Sequence, residues 1–202
     1  MAATLQGCRL DTPLSSRGRR QVEALAVRLA DEEIDHVVSS PMSRAKDTAL
    51  TLAAPHGLGV TLDVDLVEFD WGEWTGRPLD DALERQVSTI RDRWRLGETN
   101  LTTPSGESPL TAAHRARRSL VRLRDSGALA PLIVAHGRFN RVLMAVLLGK
   151  DLSRMDEIRQ QNASLSIFEW NGDGAATALL SDDVSHLSDE LRAVYGKSDS
   201  LK

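Results

Sequence analysis

The stretch that most constrains the fold is Pro131-Leu132-Ile133-Val134-Ala135-His136-Gly137. A short apolar run stops abruptly at His-Gly, and a helical pattern begins at once with Arg138-Phe139-Asn140-Arg141-Val142-Leu143. The run reads as a buried strand that delivers an imidazole to its carboxyl end, beside the N-terminus of the next helix. Unpaired N–H groups and the helix dipole favour an anion at such a junction. A histidine merely satisfied in the core fits the same pattern, so the rest of the chain has to decide.

The other elements repeat the strand-then-helix rhythm. Leu10 to Leu14 reads as a loop, and Ser15 or Ser16 caps a helix with Val22, Leu25, Ala26 and Leu29 on one face. Its arginines, Arg17, Arg19, Arg20 and Arg28, read as a solvated face. Ile34 to Ser39 reads as a strand broken by Ser40-Pro41, and Ser43 to Ala54 as a helix stopped by Pro55 and Gly57. Val60 to Leu62 reads as a strand, Glu68 to Gly76 as an aromatic loop, and Asp80 to Leu96 as an Arg-rich helix. Ser108-Pro109 starts a helix carrying Leu110, Ala113, Ala116, Leu120 and Leu123, and Gly149 caps the helix that follows His136. Ser164 to Trp170 and Ala175 to Leu180 flank a Gly-containing hairpin loop, and a last short helix is expected over Ser188 to Tyr195. Strands alternating with helices predict an α/β protein, a three-layer α/β/α sandwich around a mostly parallel sheet.

Composition narrows the function. A chain of 202 residues is expected to be a single domain over 1–202. A net charge of −4 gives no reason to expect nucleic acid, and Cys8, the only cysteine, excludes intramolecular disulfides and Cys-based zinc sites. No apolar window approaches the roughly 20 residues that span a bilayer. The N-terminus lacks the basic and apolar regions of a signal peptide, so a cytoplasmic protein with no membrane partner is expected.

Three further stretches carry chemistry. Arg44 falls in the first turn of a helix that follows a strand, where a guanidinium can clasp phosphate oxygens; a surface ion pair is the plainer alternative. Glu68 sits among apolar and aromatic residues, and desolvation raises a carboxyl pKa toward the range a general acid needs; an exposed loop glutamate is the alternative. Trp71 and Trp74 suit core or lid packing as well as substrate contact. Gly106-Glu107-Ser108 reads best as a turn leading to a helix cap.

Taken together, Ser39-Ser40-Pro-x-x-Arg44-Ala-x-x-Thr48-Ala, Leu66-x-Glu68 followed by Gly72, Gly106-Glu107-Ser108 and Val134-Ala135-His136-Gly137 resemble the histidine phosphatase (phosphoglycerate mutase-like) superfamily. So do Gln6-Gly7 through Asp11-x-Pro13-Leu14-Ser15 and the closing Asp183-x-x-His186-Leu187, in family order. The resemblance implies a phosphomonoester hydrolase acting through a phosphohistidine, without metal or cofactor, on a small phosphorylated substrate. Arg44 matches a phosphate-binding arginine, Glu68 the general acid, and His136 the second histidine, which donates to a phosphoryl oxygen. Gly137 matches a backbone phosphate donor, and Gln6 and Gly7 fall in a substrate-binding stretch. The spacing from Glu68 to His136 resembles the phosphatases rather than the longer mutases, whose phosphotransferase activity is the alternative. The region around 77–105 matches a small cap whose Arg85, Arg91, Arg93 and Arg95 read as solvated. Whether two copies form a homodimer stays open.

One part of the pattern is missing. The family opens with a strand, expected to be central in the sheet, that ends in Arg-His-Gly and carries the nucleophile; this sequence has no such motif. His36, His56, His114 and His186 each read as structural or solvated. The expectation is that the natural polypeptide carries the missing strand upstream and that the chain as written is inactive or impaired. A non-catalytic module that binds a phosphorylated ligand is the rival reading. No Gly-x-Ser-x-Gly elbow supports a serine hydrolase, and Gly149-Lys150 lacks the rest of a P-loop.

Overall fold

In the computed structural model, which describes residues 4–192, alternate strand residues are sorted into two cores. Strands β1 (His36–Ser39), β2 (Val60–Leu62) and β3 (Pro131–Val134) form a parallel sheet in the order β2-β1-β3. Ser39 lies opposite Leu62 on one side and Val134 on the other. Val37, Leu132 and Val134 face a core built with α1 (Ser16–Leu29) and α2 (Ser43–Ala53). Val38 and Ile133 face the opposite core, shared with α3 (Asp81–Arg95), α4 (Pro109–Asp125) and α5 (Gly137–Leu147). Side chains of a strand point alternately to its two faces, so these assignments place helices on both sides of the sheet.

Local chemistry sets the helix ends. Ser15 Oγ accepts from Gly18 N at 3.0 Å and opens α1. Helix α2 begins at Met42, which has no capping group, and Asp11 serves instead by accepting from Ser43 N at 2.9 Å. Gly149, at φ +63, ends α5: its N–H donates to Val146 O and that of Lys150 to Ala145 O.

Two readings of the sequence need correction. No helix forms over Ser188 to Arg192, where the described chain makes only a turn; residues 193–195 lie outside the described residues. Carbonyls that would continue a helix are taken by α1: Gln21 donates to Leu191 O and Arg17 to Arg192 O. Arg91 is not solvated but 7% exposed, because it turns inward from α3 onto Asp156 at 3.0 Å.

Strands β4 (Leu165–Glu169) and β5 (Thr177–Asp183) form a separate antiparallel pair. Among the described residues β3 and β4 are each paired on one side only. A cavity of about 1600 Å³ is lined by residues 131–135 on the side of the parallel sheet and by residues 164–169 on the side of the antiparallel pair. Leu25 and Leu29 of α1 and Leu143 and Leu147 of α5 line it too, so it runs between the helix layers where a sheet would continue. None of the helices among the described residues is long and apolar enough to cross a membrane.

Candidate functional site

Helix α5 starts where β3 ends, with His136 as its extended N-cap residue and no side-chain cap of its own. The cap comes from a distant loop. Glu68 Oε1 accepts from Phe139 N at 2.9 Å, inside the first turn, and from Phe69 N at 2.8 Å. Gly137 opens the helix, and a Cβ built on it would meet nothing within 4 Å, so a ligand has clear access to the backbone there.

Arg44, Glu68, His136 and Gly137 all line the large cavity, as does Gln6; Gly7 does not. Gly7 packs instead against the aromatic loop, where a Cβ would stand 2.7 Å from Thr75 Oγ1 and 3.0 Å from Phe69 O. Arg44 reaches the site from the first turn of α2, donating to Leu10 O at 3.1 Å and standing 3.8 Å from Asp11. Trp71 and Trp74 are core residues, 1% and 8% exposed.

Burial raises the Glu68 pKa, opposed by the amides of Phe69 and Phe139 and by the Arg44 charge. His136 is pushed down to about 3, first by burial and then by the positive charges of Arg44 and Arg115. Its ring is therefore neutral at physiological pH, and a linkage follows. An unfolded histidine takes up a proton below about 6.5, while the folded one stays neutral to about 3. His136 thus adds nothing to the pH dependence above 6.5, and below it the fold loses about 1.4 kcal/mol per pH unit. The raised Glu68 acts with the opposite sign, its penalty shrinking as acid neutralises it. Urea unfolding at pH 6.5 and 4.5 is expected to show the chain losing about 2 kcal/mol relative to His136→Gln.

Sequence reasoning missed the parts that hold these groups. Ser40, 0% exposed, places Oγ 2.8 Å from His136 Nε2. Arg115 of α4 donates to the carbonyls of Asp65 and Val67, each at 2.7 Å, and of Glu68 at 3.3 Å, fixing the backbone around Glu68. It also pairs with Glu107 at 2.8 Å, and Glu107 in turn accepts from Asp70 N at 2.9 Å. Gly72, at φ +59, lets that loop touch the next: a Cβ there would fall 2.0 Å from Pro104 O. Gly106-Glu107-Ser108 is therefore more than a cap, although Ser108 does cap α4 by accepting from Thr111 N at 3.1 Å.

The comparisons with known proteins agree with one another. The model of the histidine phosphatase superfamily (branch 1) matches residues 2–183. The bifunctional protein Rv2228c of Mycobacterium tuberculosis is 38% identical over 177 residues, 86% of this chain and 48% of the relative. The chain thus spans about half the length of that relative. The probable phosphoglycerate mutase GpmB of Erwinia tasmaniensis is 32% identical over 196 residues, 93% of this chain and 89% of the relative. Among solved structures, the mycobacterial glucosyl-3-phosphoglycerate phosphatase Rv2419c superposes with a TM-score of 0.77 at 29% identity, covering 89% of this chain and 91% of that one.

Proposed function

Because this chain belongs to the histidine phosphatase superfamily, we propose that it supplies the phosphate-holding and proton-donating side of a phosphomonoester hydrolase. One observation carries the reading. Arg44, Glu68, His136 and Gly137 line a single cavity, and the Arg44 charge bears on both Glu68 and His136. A guanidinium, an imidazole and the open Gly137 amide suit a tetrahedral anion, and a carboxyl with a raised pKa suits protonation of the leaving oxygen. Phosphoryl transfer draws most of its rate from such positioning and charge neutralisation.

We propose that none of the chain's own histidines is the nucleophile. Of its five histidines, His36 sits at the far end of β1, His114 is exposed on α4, and His186 lies beside Ala163 O at 3.0 Å. His56 follows α2, and His136 holds Ser40. We propose that the nucleophile arrives on a strand that fills the cavity between β3 and β4. Unpaired strand edges are templates for pairing, and a strand placed there would make one continuous sheet. Thr4, Leu5 and Gln6 line the same cavity. We propose that the segment 77–105, whose Leu79 lines the cavity, serves as its cap.

Calorimetric titration with inorganic phosphate tests the reading. The chain is expected to bind phosphate, and Arg44→Ala to bind it about 10- to 100-fold more weakly. Phosphate binding that is indifferent to Arg44 contradicts it. The likeness to the Erwinia tasmaniensis protein favours a second reading, a mutase-type phosphotransferase. Transfer to a second hydroxyl of the substrate, in place of release of free phosphate, would mark it. A phosphoryl-ligand-binding module would bind phosphate and show no turnover even with the strand restored.

A further inference from the structure

We propose that Ser40 is a positioning residue that fixes His136 as the neutral tautomer protonated on Nδ1, so that this N–H, and not a charged imidazolium, meets the anion. The assignment of an anion to the cavity rests on the function proposed above; the assignment of the tautomer does not.

The protons and lone pairs around one buried hydroxyl decide between the tautomers. Ser40 Oγ accepts from Met42 N at 3.3 Å and lies 2.8 Å from His136 Nε2. Its side chain is 0% exposed, so water does not reach it. Among the described residues no other acceptor is within reach of its proton. If Nε2 carried the ring proton, Oγ would accept twice and its own hydrogen would be buried unpaired, which is destabilising. With the proton on Nδ1, Ser40 donates to Nε2 and every group is satisfied. Nδ1 has no protein partner among the described residues and is not sealed from solvent, while His136 lines the cavity.

The surroundings agree. Arg44 from α2 and Arg115 from α4 both bear on the ring, and burial with these two charges keeps it neutral. Glu68, from the loop before the aromatic cluster, lines the same cavity. The backbone holds Ser40 in place as well, since Ser40 N donates to Val134 O at 3.0 Å, two residues before the histidine. A neutral donor serves a phosphoryl oxygen without a proton being taken up on binding, leaving Arg44 as the charge that meets the anion.

Long-range proton–nitrogen correlation spectra of the unmodified chain between pH 6 and 8 read the tautomer directly. A His136 ring protonated on Nδ1 is the expected result; protonation on Nε2, or on both nitrogens, overturns the proposal. In Ser40→Ala a mixture of tautomers is expected, with inorganic phosphate bound about tenfold more weakly, and Ser40→Thr is expected to return both toward the original. An unchanged tautomer in Ser40→Ala overturns the role given to Ser40. Because the spectrum needs no ligand, failure of phosphate to bind counts against the proposed function alone.

Discussion

Extended ahead of Met1 by about six apolar residues ending in Arg-His-Gly, the 202-residue chain is expected to hydrolyse p-nitrophenyl phosphate at least about 10⁴-fold faster than it does unextended. In the proposed function the groups at the head of α5 hold and polarise a phosphoryl group, and the covalent route takes its aligned nucleophile from the added strand. The added strand would do two things at once. It would pair with the free edges of β3 and β4, and it would carry an imidazole to the carboxyl end of the sheet, where Ser40 and His136 stand. These effects separate in a variant of the extended chain whose added histidine is alanine: raised thermal stability is retained and turnover is lost. Phosphohistidine trapped from labelled substrate is expected on the added histidine. Equal turnover with and without the extension would mean that a residue of the present chain attacks phosphorus.

The second large effect concerns stability. Asp156→Asn is expected to lower the unfolding free energy by about 3–5 kcal/mol, which in a domain of this size is roughly 10 °C in Tm. Asp156, whose side chain is 7% exposed, sits among three arginines: Arg91 at 3.0 Å, Arg95 at 3.1 Å and Arg138. Arg138 is 1% exposed, with its guanidinium 5.4 Å from the Trp94 ring and 5.7 Å from that of Trp71. Taking the carboxylate charge away leaves a buried cation without its counterion, whereas the ring contacts alone are worth about 1–2 kcal/mol. The arginines hold Asp156 down at about 2 and burial pushes Arg138 down to about 10. The stability Asp156 contributes is therefore present above the usual 3.8 and lost as pH falls through about 2, a window that meets only the acid end of the one in which His136 acts. Urea unfolding at neutral pH decides the matter, and a loss under about 1 kcal/mol would contradict it.

How much of this was legible in the sequence follows from the range of the interactions. Helices α1, α2 and α4 are written in local chemistry, a serine cap or a Pro-Gly stop beside a 3.6-residue apolar period, and their starts, with the end of α2, lie within a residue or so of expectation. The junction at His136 was equally local. What could not be read is what crosses the fold. Ser40 and His136 are separated by 96 residues, and Arg115 reaches back 47 residues to Glu68; no periodicity reports either contact. Arg91 and Arg138 were invisible as buried groups because an arginine on a helix reads as solvated until the carboxylate it meets is known. Gly7 belonged to a motif but serves close packing against Phe69 and Thr75, and not the cavity.

The account stands on an anion seated at the head of α5, and a titration of the unmodified chain with inorganic phosphate followed by amide proton–nitrogen spectra tests it most directly. The expected result is saturable shifts concentrated at the backbone amide of Gly137 and at the Arg44 side chain. Shifts confined to other surfaces, or none at millimolar phosphate, would contradict it.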